Sequence, residues 1–149
     1  MKVKKELLAP CGLYCGVCGV YIAYRDNNTK FKERLTTVYG VPVEQIACEG
    51  CLSSSPFVLG HKCPIKSCVK NKGLEGCHQC TAFPCSLIEN FSFAVGKKVM
   101  LRAIPTWREL GTEKWVEEEE KRYICPNCSY PQFRGAKKCR QCGNPIDLD

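Results

Sequence analysis

The chain has 149 residues, fourteen of them cysteine and only two histidine, with a net charge of +7. Its apolar share (44%) and charged share (25%) are those of a folded protein, which excludes disorder. The length excludes a full eight-fold βα barrel, which needs about 250 residues. So many cysteines mean a disulfide framework in a secreted chain and metal ligation in the cytosol. Before Cys11 the only apolar stretch is Leu7-Leu8-Ala9-Pro10, too short for a secretory signal. No charge occurs from Leu7 to Tyr24, but three cysteines, three glycines and a proline in that run mark a buried metal-bearing segment rather than a membrane span. The expected location is cytoplasmic, without membrane contact, and the thiols are read as metal ligands.

In chain order, Phe31, Leu35 and Val38 recur at i, i+4, i+7 and predict a helix over Thr29 to Tyr39, stopped by Gly40 and Pro42. Pro64 to Asn71 reads as a short helix with proline at its first position, ended by Gly73. Pro84 to Phe91 repeats the device and places Cys85 in a first helical turn. Lys98 to Leu110 is helical, with Pro105 expected to break or kink it. After Gly111, Thr112 is expected to cap a helix to Arg122, with Glu117–Lys121 and Glu118–Arg122 pairs along it. The run Glu117 to Glu120 reads as a solvated face, and Trp107 and Trp115 as packing anchors.

Near the C-terminal end, Cys125-Pro-Asn-Cys128 and Cys139-Arg-Gln-Cys142-Gly143 form two C-x₂-C knuckles ten residues apart. A two-residue spacing lets one tight turn aim both sulfurs at one ion, and two such turns complete a tetrahedral site. The segment from Lys121 to Asp149 is too short to fold on a core of its own, and bound metal supplies the missing stability. These features read as a β zinc ribbon, with Ser129 standing where such knuckles often carry glycine. Rubredoxin-type iron uses the same four sulfurs. Six basic residues (Lys121, Arg122, Arg134, Lys137, Lys138, Arg140) and three aromatics (Tyr123, Tyr130, Phe133) make nucleic acid a secondary alternative to a protein partner.

The remaining ten cysteines are Cys11, Cys15, Cys18, Cys48, Cys51, Cys63, Cys68, Cys77, Cys80 and Cys85. Their spacing suggests Cys15, Cys18, Cys48 and Cys51 around one ion, and Cys77 and Cys80 with two of Cys63, Cys68 and Cys85 around another. Cys11 is left unassigned. His61 and His78 are read as surface residues rather than ligands. The rival is an iron–sulfur cluster on Cys11-x₃-Cys15-x₂-Cys18 with a fourth ligand from Cys48 or Cys51, which would make the protein an electron carrier or redox sensor. The same spacing occurs in radical-SAM enzymes, but the repeated βα units of their barrel are missing. A third reading makes Cys85 a reactive thiol at a helix start, although no histidine–acid partnership supports hydrolysis.

Several motifs resemble the prokaryotic cysteine-rich family known as domain of unknown function 3795. They are Ala9-Pro10-Cys11-Gly12 with Cys15 and Cys18, Cys48-x-Gly50-Cys51, Cys63-x-Ile65-Lys66-x-Cys68, Lys72-Gly73, the Cys77–Cys80 pair, and Phe83-Pro84-Cys85. The resemblance is taken to continue through Leu110 to Trp115 into the ribbon, covering nearly the whole chain. It implies metal binding without an established activity. The expected architecture is therefore a small, metal-stabilised, mainly α cysteine-rich domain over 1–120, followed by a β zinc ribbon over 121–149. About three zinc ions are expected, in a structural and interaction module with no catalytic step.

Overall fold

A computed structural model describes residues 2–149. Six α-helices carry the described fold: α1 (Gly19–Arg25), α2 (Thr29–Tyr39), α3 (Pro64–Asn71), α4 (Ser86–Glu89), α5 (Ala94–Leu110) and α6 (Thr112–Arg122). Helix α2 has the predicted bounds. The Asn28 side chain accepts the Phe31 amide at 3.1 Å to cap its start, and Gly40 closes it at φ 67°, a left-handed turn that glycine takes without strain. Phe31 and Leu35 are buried, but Val38 is exposed, so the apolar stripe is shorter than expected. Helix α3 also matches, with Pro64 at its start.

Three expectations about helices are corrected. Helix α4 is a single turn, and Cys85 is its extended N-cap rather than part of the turn. Helix α5 starts earlier and runs through Pro105 unbroken. Proline removes the bond to the Leu101 carbonyl, but Leu101 and Pro105 both lie on the exposed face, where water can serve that oxygen. On the opposite face Val99, Met100, Ala103, Ile104 and Trp107 are buried and hold the helix together. The N-cap of α6 is Gly111, and the Thr112 hydroxyl instead accepts the Trp107 indole N–H at 2.9 Å. Helix α1 was not foreseen, because its apolar residues merge with an uncharged stretch that has no clear period.

The main core lies between α5 and α6 and the segment from Leu7 to Val17. Trp107 and Trp115 stack at 4.2 Å with planes 8° apart, and Tyr14 meets Trp115 edge-on at 6.0 Å. Both tryptophans are nearly fully buried, as packing anchors should be. The acidic run of α6 is not simply a solvated face. Glu119 is buried in a two-pronged pair with Arg102, and Glu120 accepts the Tyr14 hydroxyl at 2.9 Å. The expected i, i+4 pairs are replaced by Lys121 and Glu118 at i, i+3, 3.3 Å apart. A second, smaller core joins α1 and α2 to Ile46 and Cys48.

The β ribbon is also corrected: the described residues contain no β-strand. Two isolated bridges stand in its place, Ile124 with Pro131 and Lys138 with Pro145. Each is flanked by two good bonds. The Cys125 amide donates to Tyr130 O (3.0 Å) and the Gln132 amide to Tyr123 O (2.7 Å), while Cys139 donates to Asn144 O (2.8 Å) and Ile146 to Lys137 O (3.0 Å). The groups that would extend each pairing are already engaged: Cys125 O accepts Ser129 N, Tyr123 N donates to Glu119 O, and Cys139 O accepts Gly143 N. Pairing therefore stops after one bridge, and the segment is built from turns. No helix among the described residues is long and apolar enough to cross a membrane.

Candidate metal centre

The two C-terminal knuckles repeat one backbone plan. In each, the amide after the second cysteine turns back to the carbonyl of the first: Ser129 N to Cys125 O at 2.9 Å, and Gly143 N to Cys139 O at 3.1 Å. Both turning residues have positive φ, 63° at Ser129 and 75° at Gly143. Amides then point at sulfur. Asn127 N reaches Cys125 Sγ at 3.4 Å, and Gln141 N and Cys142 N reach Cys139 Sγ at 3.3 and 3.4 Å. Such donors spread the negative charge of a thiolate.

Facing each other, the knuckles bring Cys125, Cys128, Cys139 and Cys142 together with all four sulfurs within 4.8 Å of one another. Cys125 and Cys142 are 3.8 Å apart, and Cys128 and Cys139 3.5 Å. A tetrahedron with bonds of about 2.3 Å has edges of about 3.8 Å, so this spacing suits one ion. Burial works against ionising Cys139, but the amides of Cys142 and Gln141 and the thiols of Cys128 and Cys125 bring it down to about 6. Cys142 is lowered, first by the Asn127 side chain. The Tyr130 amide favours the Cys128 thiolate, yet burial and its bonds to the other three sulfurs push it up to about 12. Crowded in this way, the four thiols share their protons unequally.

Sequence reasoning missed two residues here. Gln132 is buried; its side-chain amide donates to Cys139 Sγ at 3.1 Å and to Tyr130 O at 2.9 Å, fixing that ligand from behind. Arg134 had been counted among the basic surface residues. Instead its backbone N–H donates to Val17 O at 2.8 Å and its guanidinium to Tyr14 O at 3.1 Å, beside the Cys15–Cys18 turn. Although burial works against its charge, Cys18, Tyr123, Cys15 and Tyr39 hold its pKa above the usual value. A glutamine and an arginine outside any motif carry no sequence signal for these roles.

The N-terminal ten fall into two neighbourhoods. In one, the Cys51 amide donates to Cys15 Sγ at 3.4 Å and the Gly50 amide to Cys48 Sγ at 3.3 Å. Donation from the Cys15 thiol, with Lys66 and Arg134 nearby, brings Cys51 down to about 7 against its burial. Cys48 is raised by burial and by Cys18 and Cys51. Burial and the neighbours Cys51 and Cys63 push Cys11 up to about 12, which places Cys11 and Cys63 beside this group. Gly50 has φ 119°, and a Cβ there would lie 2.3 Å from the Glu6 carbonyl, so only glycine fits this approach.

The other neighbourhood holds Cys68, Cys77, Cys80 and Cys85. Cys68 and Cys85 line one small cavity with Cys77 and Cys80, and Cys63 does not. Burial and the charges of Cys85, Cys80 and Cys68 push Cys77 up to about 11. Cys80 is lowered by the Ala82 amide and then by Lys72, whose Nζ donates to its sulfur at 3.3 Å. Arg108 of α5 steadies the knuckle by donating to His78 O (2.8 Å) and Cys80 O (3.0 Å). The His78 ring turns onto Trp107, and His61 is exposed with its Nε2 3.1 Å from Pro56 O. Among the described residues, neither histidine belongs to a group whose ligand atoms converge on a metal position.

A family model described as "Protein of unknown function (DUF3795)" matches residues 7–90, more than half the chain and all ten N-terminal cysteines. The chain belongs to the DUF3795 family. The match ends before α5, so the second half of the main core and the C-terminal four-cysteine centre lie beyond the matched DUF3795 region, which is shorter than the near-complete coverage expected. No curated protein and no solved structure matches the chain.

Proposed function

We propose that Cys125, Cys128, Cys139 and Cys142 hold one structural zinc ion, and that the protein is a metal-stabilised interaction module with no catalytic step. The convergence of four sulfurs within 4.8 Å carries this reading. Four thiolates fill a tetrahedral shell and leave no position for substrate or water, which is the pattern of a structural rather than a catalytic ion. Soft sulfur donors favour zinc over harder cations. The partner we assign is a protein. Of the six basic residues once read as a nucleic-acid face, Arg134 turns inward, Arg140 lies 4.6 Å over the Phe31 ring, Arg122 donates to Leu148 O and Lys121 pairs with Glu118. Only Lys137 and Lys138 are left exposed without such a contact, too few for a strong phosphate-binding face.

The test is elemental analysis of the full chain beside a Cys125→Ser/Cys139→Ser variant, both isolated without oxygen. The variant is expected to lose one equivalent of zinc. Equal zinc in both proteins, or iron lost in its place, would remove the reading.

A further inference from the structure

From the second N-terminal neighbourhood we infer a separate inorganic site, in which Cys68, Cys77, Cys80 and Cys85 ligate a cuboidal iron–sulfur cluster. The four cysteines come from three different places. Cys68 projects from α3, Cys77 and Cys80 flank a tight turn, and Cys85 caps α4. All four, with Lys72, line one small cavity of about 20 Å³. Its other walls are apolar, including Val69, Phe83 and Ile88, and no carboxylate lines it.

The size of the cavity separates a cluster from a single ion. Four sulfurs bound to one ion at about 2.3 Å crowd together and leave no space for a body the size of water. A cavity of about 20 Å³ exceeds the ~10–15 Å³ that admits one water. These thiols also do not converge as the C-terminal set does: among the described residues, the C-terminal four are the group whose ligand atoms all fall within 4.8 Å. A chain that holds sulfurs at single-ion spacing in one place and stands them apart in another is built for two different inorganic centres.

The surroundings suit an anionic cluster held by thiolates. Dry walls exclude water, and N–H donors to sulfur stabilise the charge on the ligands. Lys72 supplies one donor directly to Cys80 at 3.3 Å. The site is independent of the C-terminal zinc reading, since it shares no ligand with it.

The experiment compares three full-length proteins, isolated anaerobically and reconstituted with ferrous iron and sulfide. They are the natural chain, a Cys77→Ser/Cys85→Ser variant and Lys72→Gln. The double variant is expected to lose about four irons and four sulfides relative to the natural chain, with the C-terminal zinc retained. Lys72→Gln is expected to keep its iron but shift the cluster's reduction potential to a more negative value, because the positive charge beside a ligand sulfur has been removed. Unchanged iron in the double variant, or zinc rather than iron lost from it, overturns the inference. A Lys72→Gln potential equal to that of the natural chain overturns it too, even if the double variant does not fold. Loss of iron with zinc intact in Cys77→Ser/Cys85→Ser, and loss of zinc with iron intact in Cys125→Ser/Cys139→Ser, would keep the fates of the two centres apart.

Discussion

Residues 121–149 hand four sulfurs to one point using two copies of a single turn, whereas residues 11–85 distribute ten sulfurs over turns and helix ends that meet only through the fold. At the C-terminal centre the farthest pair in contact is 17 residues apart, while Cys15 and Cys51 are 36 apart. The C-terminal geometry is local, and its core of Cys125, Ala136, Cys139 and Ile146 is half cysteine. The N-terminal groups rest against the α5–α6 core, a large apolar body in its own right. Metal should therefore be essential to the shape of the first region and secondary in the second.

The strongest way to break this contrast is to remove metal. Thiolate-bound zinc contributes about 10–16 kcal/mol of apparent binding free energy in small finger peptides. Chelation is expected to abolish amide-exchange protection in residues 123–149 while α5 and α6 keep theirs. Equal loss in both regions would erase the distinction. The reciprocal probe is Trp115→Ala, which opens the α5–α6 core and is expected to cost ~3–5 kcal/mol in urea unfolding. Zinc content at the C-terminal centre should stay the same. Next comes Glu119→Ala, which leaves the half-buried Arg102 without its partner and is expected to cost about 3 kcal/mol. Unfolding that remains within a few tenths of a kcal/mol of the natural chain would show the pair to be idle.

Two glycine-related changes sharpen the comparison at smaller scale. Gly50→Ala drives a Cβ into the Glu6 carbonyl at positive φ and is expected to cost about 2 kcal/mol, displacing Cys48 and Cys51. Thermal melting together with N-terminal metal content checks it. Ser129→Gly should do the opposite. It relieves a left-handed serine and is expected to gain about 0.5 kcal/mol in the metal-bound protein, seen as slower zinc transfer to a chelator.

Helices α2, α3 and α6 were legible in the sequence because their signals are local: a stripe with a glycine stop, a leading proline, and charge pairs after a glycine. The convergence of the four C-terminal cysteines was legible for the same reason, since x₂ spacing is a property of one turn. The ribbon failed because the knuckle turns take Cys125 O and Cys139 O for Ser129 N and Gly143 N, so neither hairpin pairs beyond one bridge. Pro105 failed in the other direction: a buried stripe of five side chains kept α5 continuous through it. Spacing left the companions of Cys77 and Cys80 open among Cys63, Cys68 and Cys85, because Cys68 and Cys85 come to the same cavity only once α3 and α4 have packed. Nor could Arg134, whose place beside Tyr14 joins positions 120 residues apart.

The imidazole inside the Cys77–Cys80 turn lies face to face on Trp107, 3.8 Å away and 13° from parallel, and Trp107 in turn lies on Trp115. Burial holds the pKa of His78 below its ordinary value. These are the chain's two tryptophans. All its indole emission therefore comes from a stacked pair of which one ring, Trp107, lies on that turn, and the protein carries its own optical gauge of whether the turn is in place.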